Sequence, residues 1–425
     1  VVQVAARVVE ATGAVQGREV AVVPGLRVIG NARLAMASLR IVADENIPLL
    51  EAFCGDLGPL TRVNGRNLDR DQLKEADVLL VRSVTRIDQA LLAETPVRFV
   101  GTATIGTDHV EIPWLEAQDI AFASAPGCNA SSVVQYVLSV LSLFLQRSER
   151  RTLDGLTVGI IGAGNVGGRL VRVLSGLGVT VRVSDPPLES IGADFPFAPI
   201  DDVLACDVIS LHAPLLRDGP HPTWHLLDRQ RLASLRGGQL LINSGRGAVV
   251  DNLALLERLQ QSDPPLVALD VWENEPTPVP ELLDRCWLAT PHVAGYSLEG
   301  KSRGTEMIAR ALRQWAGLSM TPSMEGLLPP PPVSGLQFTA QCAPLDALHR
   351  ALMTCYDPRD DDARLRKLFT SAVSTGQSSG PSFDRLRKEY PVRREPTSLS
   401  VSVADTGGNT EAARLLSRAG FTVST

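Results

Sequence analysis

The sequence predicts an α/β protein built around a doubly wound parallel sheet, and three observations carry that expectation. Short apolar runs alternate with amphipathic, helix-like segments from Leu39 to about Gly317, the pattern of βαβ units whose strands are buried on both faces. Six such runs follow one another between Leu156 and His292, as in a complete dinucleotide-binding sheet of two halves. The first of the six leads straight into GAGNVG and then a helical segment, which is the setting in which a glycine-rich turn receives a phosphate.

Bulk properties bound what the chain can be. Its 425 residues allow two or three domains, and 44% hydrophobic residues with a mean hydropathy of +0.07 are ordinary for a globular protein. A formal charge of -6 offers no general attraction to nucleic acid or anionic lipid, so any positive charge that matters is local. A small anionic ligand suits it better. Six scattered cysteines without a CxxC pair point to free thiols in a reducing compartment, the cytoplasm by default. No metal-ligand spacing stands out. Val133–Leu145 is nearly apolar, but it is too short and too polar to span a membrane and reads as a buried helix.

The first 38 residues read as an extension outside the fold. Their AMA sequence resembles a signal-peptidase site, yet Arg7, Glu10, Arg18 and Glu19 interrupt the apolar stretch that secretion needs. The chain starts with Val, and Met36 stands just before the first clean strand.

From Leu39 the runs LRIVADE, ADVLLVRS, VRFVGTAT and IAFASAPG read as strands, and Ser131–Gln146 as a helix. The second set is LTVGIIG, VTVRVSD, DVISLHAP, GQLLINSG, PLVALDV and CWLATPH. A helix is expected over Glu299–Trp315, followed by LLPPPPVSG, whose four prolines make a stiff linker and a boundary. The remainder reads as a small α+β domain: a helix over Pro344–Cys355, charged and polar segments, a strand SLSVSVAD, then a helix and strand over Glu411–Val423.

Chemistry concentrates at strand ends. In GAGNVG, Gly162 permits a tight turn, Gly164 a close approach of backbone to a pyrophosphate, and Gly167 the packing of helix on strand, with Asn165 and Val166 between them. Asp185 ends the next strand, where its carboxylate would accept from the ribose hydroxyls of NAD and repel the 2′-phosphate of NADP. His212 ends DVISLHAP, beside Ala213. Arg246 in LINSGRGAVVD lies between Gly245 and Gly247, glycines that would let the backbone turn sharply, and its planar fork matches a carboxylate. Glu275 and His292 end the following two strands, where a carboxylate would orient an imidazole for proton transfer. Arg246, Glu275 and His292 beside a nicotinamide would oxidise a 2-hydroxy acid. His109, His221, His225 and His349 read as structural.

GAGNVG, HAP, INSGRGAVVD, ALDVWENEP and TPHVAGYS together resemble the D-isomer-specific 2-hydroxyacid dehydrogenase superfamily over roughly Leu39–Gly317. VADENIP, VRSVTRID, FVGTATIGTDHV, SAPGCNA, PLLRDGPH, HVAGYSLEGKSRGT, YDPRDDDARLRK and FDRLRKEY are similar to its erythronate-4-phosphate dehydrogenase family. The resemblance implies a Rossmann-type NAD-binding domain (141–296), a discontinuous flavodoxin-like α/β substrate domain (39–140 and 297–326) and a C-terminal dimerisation domain (327–425). It implies Arg246, Glu275 and His292 as catalytic residues, and NAD near Asp185, Ser244 to Arg246, Asp270 and Gly295. It implies substrate at Ser83, Thr104 and Tyr296. Ala213 departs from the threonine often found there, and Ser244-Gly245 from an Ala-Cys pair.

The activity implied is NAD-dependent oxidation of 4-phospho-D-erythronate to (R)-3-hydroxy-2-oxo-4-phosphobutanoate in pyridoxal 5′-phosphate (vitamin B6) synthesis, by a homodimer. Its phosphate needs positive charge beyond Arg246, with Arg82, Arg86, Lys301 and Arg303 as candidates. Two alternatives stay open: a 3-phosphoglycerate or other D-2-hydroxyacid dehydrogenase, and a non-catalytic NAD-sensing corepressor.

Overall fold

A computed structural model describes residues 38–318, 322–375, 380–404 and 410–424. The amino-terminal extension, apart from Ser38, and part of the polar loop after Phe369 lie outside the described residues. The chain forms two compact units. The first holds the described residues up to Pro126, with Pro187–Asp194 and Gly304–Ser323; the second holds Gly127–Pro186, Phe195–Arg303 and Met324–Thr425.

The first unit is built on five parallel strands, β1 (Ile41–Asp44), β2 (Leu60–Val63), β3 (Val78–Val81), β4 (Phe99–Thr102) and β5 (Ala121–Ala123), in the order β2-β1-β3-β4-β5. This is the flavodoxin-like order. Four of these strands coincide with the apolar runs. The edge strand β2 does not, because three of its four residues are at least partly exposed and it carries no buried apolar run. One face of the sheet is closed by Leu73, Leu79, Val100 and Leu115, all fully buried.

The second unit has all six expected strands: β6 (Thr157–Ile161), β7 (Thr180–Ser184), β8 (Val208–Leu211), β9 (Leu240–Asn243), β10 (Leu266–Leu269) and β11 (Leu288–Ala289). They lie parallel in the order β11-β10-β9-β8-β6-β7, and an isolated parallel bridge from Val183 to Phe197 adds a vestigial strand outside β7. With that bridge the sheet has the two-halved arrangement, reversing between β6 and β8, where such sheets bind their ligands.

The C-terminal residues share this core. Leu365, Phe369 and Phe383 are buried in one cluster with Leu241, Leu255 and Leu269. The charged DPRDDDARLRKLF is part of a helix, Pro358–Thr375. Asp362 accepts from the backbone of Ala289 and pairs with Arg366, which also donates to the carbonyls of Leu283 and Cys286. This charge run thus ties the helix to β11. A second helix, Gly380–Lys388, follows, and β12 (Gly335–Phe338), β13 (Ser400–Val403) and β14 (Thr422–Ser424) make a third parallel sheet. The helix Ala130–Arg147, which the sequence reading divides at residue 140, falls whole in the second unit. Its Ser139 and Ser142 bond to Tyr356 and His349, polar contacts that periodicity does not announce.

Gly167 shows how closely helix and strand approach: a Cβ there would lie 1.9 Å from the Gly162 carbonyl oxygen. The Gly167→Ala protein should lose roughly 1–3 kcal/mol of stability through forced separation of backbone, read from its denaturant midpoint. A midpoint equal to that of the parent would refute this packing.

Candidate active site

The glycine turn is built as the spacing implies. Gly162 has φ 86, and a Cβ there would lie 2.7 Å from the Ala213 nitrogen, so this glycine lets β6 and the end of β8 close on each other. A Cβ at Gly164 would meet only open space. The Ala163 amide donates to Asp185 Oδ2 at 2.8 Å, locking the carboxylate beyond β7 to the turn. Two buried polar atoms, His212 Nδ1 and Ser244 Oγ, have no hydrogen-bond partner among the described residues, and both follow directly on strands of this sheet. An open glycine, a fixed carboxylate and orphaned polar atoms at strand ends are a set that fits a dinucleotide. His212 donates to or accepts from Ser210 at 2.9 Å, and burial pushes its pKa down to about 4, so it is neutral at physiological pH.

Arg246 sits in extended backbone, φ -136, ψ 135. The glycines around it serve close approach rather than a left-handed turn, since neither has positive φ. A Cβ at Gly247 would lie 2.0 Å from the Trp272 carbonyl carbon, and one at Gly245 would lie 3.2 Å from the Leu211 carbonyl oxygen. The sharp turn expected there is instead held by a side chain: buried Asn243 accepts from the Gly245 amide and donates to the Arg246 carbonyl. The Arg246 guanidinium rests on the Gly245 carbonyl at 2.9 Å.

His292 and Glu275 do meet. His292 Nδ1 lies 2.7 Å from Glu275 Oε2, and Glu275 Oε1 accepts from the Trp272 amide at 2.8 Å. Burial works against the Glu275 charge, but the His292 ring, its hydrogen bond, the Trp272 amide and Arg387 outweigh it and hold the carboxyl below its ordinary range. An ionised acceptor on Nδ1 leaves the lone pair on Nε2, the tautomer a base requires. His292 itself has φ 58, a conformation that costs a non-glycine residue of order 1 kcal/mol. Asp270, 1% exposed, compensates: Oδ1 accepts from Thr290 Oγ1 and the Val293 amide, Oδ2 from the Ala294 amide, and its carbonyl from the His292 amide. The carboxylate that the resemblance assigns to NAD thus also holds the turn that carries His292. Gly295 follows, where a Cβ would strike Asn129 at 2.1 Å.

Ser83 is exposed beyond β3 in the first unit, and Thr104 is half-buried beyond β4. A relay orients Thr104: Thr102 Oγ1 lies 2.8 Å from Thr104 Oγ1 and 3.1 Å from His109 Nε2. Of the basic candidates, Arg86 pairs with Asp88 and Glu111 at the surface, and Arg303 is committed to Glu395 and the Cys128 carbonyl. Lys301 Nζ stands 4.6 Å from the Tyr296 ring centroid. The Arg82 carbonyl accepts from the Thr85 amide. Elsewhere His225 Nε2 lies 2.8 Å from Glu273 Oε1 and its Nδ1 lies 3.7 Å from Asp251 Oδ2, so its two nitrogens face different carboxylates.

Two residues the sequence reading missed come from the C-terminal segment. Arg393, 4% exposed, donates to Gln135, to the Ser132 carbonyl and to the carbonyls of Val293 and Ala294, under the Tyr356 ring. Arg387 lies 5.7 Å from the Tyr296 ring centroid. The only signal in the sequence is the density of arginine in FDRLRKEYPVRRE, which is equally the signature of a solvated surface.

The chain is similar to known proteins over most of its length. Residues 144–294 match the D-isomer specific 2-hydroxyacid dehydrogenase, NAD binding domain, and residues 327–420 match a domain of unknown function, DUF3410. The chain is 54% identical over 365 residues to the erythronate-4-phosphate dehydrogenase of Marinobacter nauticus, covering 85% of this chain and 94% of that one. It is 51% identical over 379 residues to the enzyme of that name from Pseudomonas aeruginosa, covering 89% and 98%. In fold it is similar to NAD+-bound 3-phosphoglycerate dehydrogenase of Entamoeba histolytica, with a TM-score of 0.55 at 22% identity over 66% of this chain and 95% of that one.

Glu275 makes two checks available. Glu275→Gln keeps the shape and removes the charge, so kcat should fall by about 10²–10⁴ in steady-state assays. Because its folded pKa is depressed, the stability it contributes is complete above its unfolded value, about 4.3, and is lost as pH falls through the folded value. The stability gap between parent and Glu275→Gln in urea should therefore shrink below about pH 4; a gap independent of pH would contradict the ionised pair.

Proposed function

The chain belongs to the erythronate-4-phosphate dehydrogenase family and is an NAD-dependent dehydrogenase, and from that premise we propose how its own residues oxidise 4-phospho-D-erythronate to (R)-3-hydroxy-2-oxo-4-phosphobutanoate in vitamin B6 synthesis. The observation that carries the chemistry is the 2.7 Å bond between His292 Nδ1 and Glu275 Oε2. It leaves Nε2 to take the proton of the C2 hydroxyl, while Glu275 stabilises the imidazolium that forms. Arg246 holds the substrate carboxylate in two parallel bonds. NAD, when bound, supplies the hydride acceptor. The glycine turn with Asn165 and Val166 would cradle its pyrophosphate, Asp185 its ribose, and His212, Ala213, Ser244 and Gly245 its nicotinamide end. Asp270 and Gly295 would act on that end from behind, through the turn they fix.

Ser83, Thr104 and Tyr296 would meet the remaining hydroxyls and phosphate. Six unpaired cysteines support a reducing compartment, the cytoplasm, and among the described residues no helix is long and apolar enough to cross a membrane. Assembly as a homodimer through the C-terminal region is part of the same proposal, and a monomer on sedimentation of the full chain would remove it.

NADH formation compared across 4-phosphoerythronate, 3-phosphoglycerate and lactate tests the substrate. The first should be preferred; preference for either of the others would overturn the assignment. Arg246→Lys should lower kcat/KM by about ten- to hundredfold, since a point charge cannot make both bonds.

A further inference from the structure

Around Tyr296 the second unit gathers two cations. Lys301 Nζ lies 4.6 Å from its ring centroid and the Arg387 guanidinium carbon 5.7 Å from the same point. Arg387 is largely withdrawn from water, and burial opposes its charge; Tyr296 and Glu275, with Asp384 behind them, restore it. Its Nε is nevertheless buried with no hydrogen-bond partner among the described residues. A buried cationic donor left unsatisfied costs about 1–3 kcal/mol, and such an atom beside a catalytic dyad calls for a ligand.

The helix that carries it is firmly set. Gly380–Lys388 buries Phe383 fully in the core of the six-stranded sheet. Beyond it, Arg393 grips the carbonyls of Val293 and Ala294, Ser297 bridges to Arg393, and Leu298 donates to the Arg393 carbonyl. Arg387 is thus presented to the His292 turn from an element pinned on both sides. Other arginines nearby are already engaged: Arg303 with Glu395, Arg394 with Glu299, Arg364 with Asp361.

We propose that Arg387, with Lys301, forms the subsite for the substrate's phosphomonoester group, so that the C-terminal region supplies a binding residue to the active site of its own chain. Arg246 takes the carboxylate and Arg387 the dianion at the far end. The ligand class follows from the chemistry: two cations beside one tyrosine ring suit a group with two charges and several acceptor oxygens. This rests on the reading above for the identity of the substrate, and the test separates the two.

Arg387→Met should raise KM for 4-phosphoerythronate by about tenfold or more, the loss of one charge-assisted bond. The kcat/KM for unphosphorylated D-erythronate should fall by a clearly smaller factor, since that substrate loses only the support Arg387 gives the Glu275 charge and not the bond. Arg387→Lys should recover part of the loss, and thermal unfolding should report whether either variant is intact. Inorganic phosphate titrated calorimetrically into the NAD-loaded protein should bind about tenfold more weakly to Arg387→Met. Equal losses on both substrates, or unchanged KM and phosphate binding, would overturn the subsite. A parent protein that ignores 4-phosphoerythronate yet binds phosphate through Arg387 would instead sink the substrate assignment and keep the subsite.

Discussion

One buried carboxylate governs the geometry of the His292–Glu275 pair. Asp270 stands at the end of β10 and accepts from Thr290, Val293 and Ala294, while its carbonyl holds the amide of His292. These bonds compensate for the left-handed backbone at His292, which no glycine relieves. Two residues beyond Asp270 on the same segment, Trp272 donates to Glu275. Both members of the dyad are therefore referenced to one strand end, and their 2.7 Å separation follows from backbone register rather than from loop flexibility. A rigid strand end is how a protein places a base to the fraction of an ångström that proton transfer demands.

The C-terminal region completes that frame. Arg393 meets the other carbonyls of the His292 turn, and the adjacent Glu395, 2% exposed, gathers Ser132, Ser297 and Arg303. Glu299 pairs with Arg394 and accepts from the Glu395 amide. Burying charges at this density is tolerable only because each has partners of opposite sign or hydrogen bonds. The reward is specificity of placement: a hydrophobic contact could slide, whereas a planar guanidinium bonded to two successive carbonyls cannot.

Much of the site is legible in the sequence because its chemistry is local. GAGNVG, Asp185, Arg246, Glu275 and His292 each follow directly on an apolar run, so a strand assignment already puts them on one edge of the sheet. Reading the glycines beside Arg246 is a different matter. Their presence signals tight backbone, but the cause is the neighbouring chain at Trp272 and Leu211, which lies outside any sequence window. The same holds for Asp270, whose partners are twenty or more positions away, and for β2, whose exposed edge leaves no apolar signature. Arginines in FDRLRKEYPVRRE look alike as letters, although Arg393 is buried and Arg385 is exposed.

Local pattern alone thus determined the parallel sheets, the glycine turn and the position of Arg246, Glu275 and His292 beyond strand ends, since burial periodicity and strand-end chemistry are written within a few residues of each other. Tertiary structure alone decided that the carboxylate of Asp270 faces the His292 turn, that Asn243 holds the arginine turn, and that the C-terminal segment belongs to the catalytic unit. Those outcomes depend on which distant groups meet after collapse. Charge and hydrogen-bond partners are chosen by proximity in space, and a one-dimensional pattern does not record it.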